Sequence, residues 1–305
     1  MTTVAVPAAS STLAARPGSG MRKVKDRAAT TLVYGSFLLA LIPLAWLLWT
    51  VLSRGLLSIT RNGWFTGSQR GITYRDSGGG ALHAIIGTLE QVALCTLISV
   101  PISLLVAIYL VEYGRGPLVR ATTFMVDILT GIPSIVAALF VYAVFVTTFG
   151  GNRAGWLVSL ALVMLMIPVV VRTTEEMLRL VPNELREASY ALGVPKWRTI
   201  VKIVLPTAMA GLGTAVTLAI ARVIGETAPL LITVGITNAT NTNPFDGRMA
   251  TLPVYAYYQL TQPGVPPQNG IDRAWTAALV LIVIVLVLNL IARLISRFFA
   301  PKTGR

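Results

Sequence analysis

Two ionisable residues stand four apart in an otherwise apolar stretch, Arg222 and Glu226 in Ala219-Ile-Ala-Arg-Val-Ile-Gly-Glu-Thr-Ala-Pro-Leu230. A charge at the depth of a bilayer costs roughly 3 kcal/mol or more, so such residues face a bundle interior or a water-filled path. On a helix, the four-residue spacing puts both on one face, within reach of each other. Two readings follow: contacts along the path of a transported ion, or a structural ion pair that fixes helix packing. Gly225 and Pro229 beside them add local deformability, which suits a moving element.

A second constellation is charged and amphipathic. From Arg172 to Pro206, Leu185, Ala188, Leu192 and Trp197 interleave with Glu184, Arg186, Glu187 and Lys196, the pattern of a helix lying in water against a partner or a membrane surface. Gly193 is placed to end one helix and Pro195 to open the next. The expected result is two short helices with a bend between them, a compact knob. Small residues at Ala188, Ser189 and Ala191 permit close approach of a partner, and Glu187 is free to pair with a basic one.

Other polar residues carry weaker signals. Arg172 is either an aid to exit from such a path or an anchor at the inner membrane surface. Glu90 is placed to pair with Arg222 or His83, and Asp127 to stay hydrated near the inner interface. His83 is the single histidine and Cys95 the single cysteine. A hydrolytic triad or a metal site would need companions at useful spacing, so no catalytic residue, metal ligand or cofactor is assigned. The sequence contains no Gly-x-x-x-x-Gly-Lys-[Ser/Thr] phosphate loop either, so any ATP hydrolysis belongs to another chain.

The elements that must position these residues are membrane helices. Of 305 residues, 54% are hydrophobic and 12% charged. Soluble domains carry about 25% charged residues. Six stretches approach the roughly 20 residues that a helix needs to cross hydrocarbon: 31–52, 82–111, 121–149, 154–171, 204–236 and 274–291. They lack the alternation of barrel strands, and helix satisfies its own backbone in lipid. Prolines 43, 101, 133, 168 and 229 fall inside them and predict kinks.

The net charge of +13 raises the possibility of nucleic acid, but position argues for membrane topology. With six spans and the N-terminus inside, seventeen Lys and Arg fall on the cytoplasmic side and seven outside, the positive-inside bias. Both termini are then cytoplasmic. Residues 1–29 read as a disordered tail, 30–298 as one transmembrane domain with a loop at about 183–206, and 299–305 as a short C-terminal tail. The first span is the expected insertion signal. Two outer segments, one with Trp64, Phe65 and Gly78-Gly79-Gly80 and one with Tyr255, Tyr257 and Tyr258, either rest on an external partner or anchor at the interface.

Glu187-Ala188-Ser189, then Gly193 after three residues, then Ile203-Val204-Leu205-Pro206, resembles the EAA loop of bacterial ABC importer permeases, with Ser189 departing at the third, small position. That resemblance implies a coupling helix that docks in a groove of an ATPase subunit. The stretch around Arg222 and Glu226, with Pro168-Val-Val-Val-Arg172-Thr-Thr-Glu175-Glu176 and Gly131-Ile-Pro-Ser134, resembles the PstA-type permeases of bacterial phosphate importers. It covers most of the chain from Tyr34 onward.

The family resemblance implies an all-α, polytopic transmembrane bundle of six spans with a cytoplasmic coupling-helix loop, of the type I ABC importer kind, in the bacterial inner membrane. It implies a non-enzymatic transport subunit that works with a PstC-type permease, two PstB-type ATPases holding ATP and Mg, and a PstS-type phosphate-binding protein. Phosphate carries one or two negative charges and at least one proton. Arg222 can therefore neutralise it through forked N–H donors while Glu226 accepts its proton, and Arg172 assists exit. Sulfate has no such proton to give. Coupling to the ATPase falls to Glu187, Ala188, Ser189, Gly193, Ile203, Leu205 and Pro206. A permease for another oxyanion or an osmolyte, or a proton-coupled transporter using Glu90 and Glu226, is the alternative.

Overall fold

A computed structural model describes residues 20–60 and 63–299. It falls into two units, 1–50 and 51–305. The first contains most of α1 (Gly20–Ile59), a 40-residue helix whose apolar side chains, among them Phe37, Leu38, Trp46 and Trp49, are exposed within the chain. Lipid is the natural cover for such a surface. α1 begins well ahead of its apolar stretch, so residues 20–29, assigned above to a disordered tail, are helical. Arg22, Lys23, Lys25, Ala28 and Ala29 are good helix formers that extend a helix already nucleated by the span. Residues 1–19 and 300–305 of the expected tails lie outside the described residues.

The second unit is built on α2 (Leu82–Ile108), α3 (Pro117–Gly131), α4 (Ser134–Tyr142), α5 (Gly155–Arg179), α6 (Asn183–Ala191), α7 (Lys196–Thr199), α8 (Leu205–Ile224), α9 (Ala228–Thr233), α10 (Leu252–Thr261) and α11 (Gln268–Phe299). Among the described residues, five helices are long and apolar enough to span a membrane, six if α3 and α4 count as one bent span. The described residues outside helices form turns and loops.

α5 is the axis of this unit, with 67% of its most apolar stretch buried. Val158, Leu162, Met166 and Val170 of α5 pack with Val92 and Cys95 of α2 and with Ala219, Val223 and Ile224 of α8. Small side chains let the backbones of α2 and α5 approach, and hydroxyls tie them together. The Ser159 hydroxyl donates to the Gln91 carbonyl at 3.1 Å, and that of Ser103 to the Ile167 carbonyl at 3.3 Å.

Two spans expected to be continuous are broken. The stretch 121–149 divides at Ile132-Pro133, where α3 and α4 meet at a bend of 102°. Proline disfavours helical geometry in the residue before it, and Ile132 is accordingly extended at ψ 124. The stretch 204–236 ends as a long helix at Ile224 and resumes as α9 after Gly225-Glu226-Thr227. Gly225 is a weak helix former, and Pro229 fits only the first turn of a new helix. α4 packs against α9, so the second halves of both broken spans lie together.

The other end of α8 also departs from expectation. The second helix of the predicted knob is the start of the span itself, because Lys196 to Ile224 is helical throughout. One wide, π-helical turn at Ile200–Val204 interrupts it. Pro206 has no N–H for the Lys202 carbonyl and its ring crowds that group, and a widened turn just before the proline relieves the crowding.

Candidate functional site

The knob is locally built as the sequence suggests. α6 closes in a Schellman motif, with the Gly193 N–H bonded to the Tyr190 carbonyl at 2.9 Å and the Val194 N–H to that of Ser189 at 3.2 Å. Gly193 has φ of 72°, a left-handed geometry that glycine alone adopts without cost. Pro195 then opens α7. Glu187 and Ala188 are exposed, whereas Ser189 is buried and its hydroxyl meets that of Thr199 at 2.8 Å, pinning α6 to α7. Ile203 lies in the wide turn, and Leu205 and Pro206 open α8, all three half-buried. The knob's surface carries large apolar side chains beside its charges, with Leu192 83% and Trp197 57% exposed.

Beneath the knob is a contact that sequence reasoning missed. Glu112 lies in a π-helical turn, Tyr109–Tyr113, that continues α2. Its Oε1 accepts from Arg186 Nε at 3.0 Å and Nη2 at 2.9 Å, and the two side chains are only 5% and 12% exposed. Arg186 further donates to the carbonyls of Val181 at 2.6 Å and Leu178 at 3.0 Å and to Asn183 Oδ1 at 3.3 Å. Lys196 donates to the Glu112 carbonyl and lies over the Tyr113 ring at 4.9 Å. The only signal in the sequence is one carboxylate at the end of an apolar span, on the side richest in cations.

Arg172 is likewise occupied. It pairs with Asp127 of α3 and, at 2.9 Å, with Glu175, whose other oxygen takes Arg179 at 2.6 Å. Asp127, read above as merely hydrated, thus ties α3 to α5. The four charges balance, so burial of Glu175 is compensated by two arginines.

Arg222 and Glu226 are arranged differently. Arg222 sits in the last turn of α8 with its side chain exposed within the chain, while Glu226 is half-buried in the break before α9. The helix stops between them, so the expected face-sharing pair does not form, and among the described residues neither side chain has an ion-pair partner. Glu90 joins neither Arg222 nor His83. It is half-buried in α2 and its Oε2 has no partner among the described residues.

The opposite end of α2 carries a cap made by the two long segments. Trp64 and Tyr255 are buried with Ala81, Ala84 and Leu252, not laid out as interfacial anchors. Gln69 Nε2 donates to the Tyr255 hydroxyl at 3.0 Å, and the His83 ring meets Tyr255 edge-on at 5.3 Å. Arg273 donates to the carbonyls of Asp76 and Gly78. Gly80 is required, since a Cβ there would stand 2.2 Å from the Gly63 carbonyl oxygen. Burial pushes the Tyr255 phenol well above its ordinary range. The Thr73 amide and hydroxyl, both donating to Asp76, hold that carboxyl below its own.

Residues 99–305 match the family described as "Binding-protein-dependent transport system inner membrane component". The phosphate transport system permease protein PstA 1 of Mycobacterium tuberculosis is 52% identical over 95% of this chain and 93% of its own length. PstA of Mycobacterium leprae is 51% identical over 94% and 93%, and PstA of Pasteurella multocida 40% over 92% and 97%. Among solved structures, a bacterial alginate ABC transporter in complex with an alginate-bound periplasmic protein is similar in fold, with a TM-score of 0.67 at 16% identity over 93% of this chain and 99% of that one. The MetNI methionine ABC transporter aligns with a TM-score of 0.55 at 20% identity over 72% and 94%.

Proposed function

The chain belongs to the binding-protein-dependent transport system inner membrane components, in the branch of the PstA phosphate permeases, and from that premise we propose how it moves its substrate. It is the multi-pass permease subunit of a phosphate ABC importer, a transport subunit and not an enzyme. The knob faces the cytoplasm, where Glu187, Ala188 and the exposed Leu192 and Trp197 seat in an ATPase of PstB type. A PstC-type permease completes the path, and a PstS-type protein delivers phosphate at the cap. ATP and its Mg are held by the two ATPase chains.

The observation that carries the reading is Arg222, an arginine at membrane depth whose fork is committed to no carboxylate of the described residues. Facing a path shared with the second permease, it neutralises phosphate through paired N–H donors. Glu226, one turn on in the break, accepts the proton that phosphate carries and sulfate lacks. The broken spans are compatible with this placement, since non-helical backbone at membrane depth is tolerated where it is buried in protein or lines a water-filled path. Arg172 acts later. Its fork is held by Asp127 and Glu175, so departing phosphate competes with them at the inner end of the path.

Alternation follows if ATP binding closes the ATPases and the knob moves with them. Binding beside Arg222 is weak by necessity, because a deep trap would stall release. The deciding experiment is phosphate uptake by cells whose only importer contains this chain, with R222Q compared at matched membrane levels. Loss of uptake with intact assembly supports the reading; normal uptake overturns Arg222 as a path residue.

A further inference from the structure

The geometry points to Glu112 and Arg186 as positioning residues that fasten the coupling knob to α2, making α2 the element that carries the ATPase stroke across the membrane. The inference rests on the reading of the knob as the ATPase dock. Every donor of Arg186 is used: two bonds to Glu112, and one each to Val181, Leu178 and Asn183. Lys196 adds a hold from α7 on the carbonyl of the same glutamate. Both halves of the knob are therefore bound to the last turn of a helix 74 residues earlier in the chain. The Ser189 and Thr199 hydroxyls keep the two halves together, so the knob moves as one body.

The far end of α2 is as firmly set. A Cβ at Gly87 would stand 2.0 Å from the Ala250 carbonyl oxygen, so the helix backbone rests directly on the cap. The Leu252 N–H donates to Thr88 Oγ1 at 2.9 Å, and His83 packs on Tyr255. Between these ends runs a helix of 32 residues, about 48 Å long at 1.5 Å per residue. A buried ion pair gives little net stability compared with apolar packing, and its best-attested use is to fix one register or one of two states. Glu112 and Arg186 fit that use: they fix where a displaced knob pulls.

The test uses the complete importer in proteoliposomes, with ATP hydrolysed and phosphate accumulated measured in the same vesicles. ATP-dependent phosphate uptake by wild type, and loss of the ATPase subunit from E187K, check the underlying reading separately. With those in place, E112Q is expected to keep its ATPase subunit and most of its hydrolysis while phosphate moved per ATP falls roughly tenfold, with E112D in between, the scale of mutations along a coupling network. A wild-type ratio in assembled E112Q overturns the inference. R186K, which keeps the charge and loses the fork, is the second variant. A lowered ratio supports the clamp, and a wild-type ratio overturns it. Failure of both variants to assemble assigns the pair to folding alone and overturns it too.

Discussion

Arg186 and Arg222 lie on helices of the same unit, and almost everything about their surroundings differs. Arg186 is mostly covered, its side chain 12% exposed, and spends all of its donors on one carboxylate, two carbonyls and an amide. Arg222 stands at a helix end with its fork open. An arginine so fully satisfied has nothing left for a ligand and can only hold parts together. One left open in an apolar segment is stable only with water, lipid headgroup or an anion beside it. On the function proposed above, the contrast separates the mechanical end of the molecule from its chemical one.

The sharpest way to break that contrast is R222Q. Uptake should fall roughly a hundredfold, ~2.7 kcal/mol for the loss of charge-assisted hydrogen bonds to phosphate, with assembly and thermal unfolding unchanged. A variant that instead unfolds early would place Arg222 with Arg186 among the structural arginines. On the knob, E187K should weaken ATPase binding roughly tenfold, seen by co-purification or titration of the ATPase onto the permease. Retained binding would move the dock off this surface. S189A removes the contact between α6 and α7, leaving the Thr199 hydroxyl with the Pro195 carbonyl at 3.5 Å, and should cost ~1 kcal/mol, seen as faster proteolysis between α6 and α7 with phosphate uptake unchanged.

The mildest test concerns a satisfied carboxylate of the cap. Asp76 is held below the ordinary carboxylate range by Thr73. Its contribution is therefore present above the unfolded value and fades as pH falls through the lowered one. Protection of the Thr73 amide from hydrogen exchange, taken against the intrinsic rate at each pH, should fall in that acid window and be low at every pH in D76N. Equal rates in wild type and D76N would show that the carboxylate holds nothing.

The spans and the knob were legible because their causes are local. Hydropathy marks a span, and Gly193 with Pro195 marks a bend within a few residues. The breaks were half legible. Pro133 announced a kink, but its size depends on α4 finding α9, and the run 204–236 stays apolar on both sides of Gly225-Glu226-Thr227, so composition does not register the stop. Helical spacing would let Arg222 pair with Glu226, one of the two readings above, but the helix ends between them and no such pair forms among the described residues. Pairings between residues distant in sequence were not legible: Asp127 is 45 residues from Arg172, and Glu112 is 74 from Arg186.

The wide turn at Ile200–Val204 has a consequence for the phase of everything after it. A single π turn holds one residue more than an ordinary turn, and one residue advances the helix by about 100° around its axis. The compass bearing of Arg222 relative to the knob is thus set by a surplus residue some five turns away. Trimming one residue of that turn, such as Val201, would leave the charge and every side chain discussed above in place, and would swing the Arg222 guanidinium by about 100° around the helix axis.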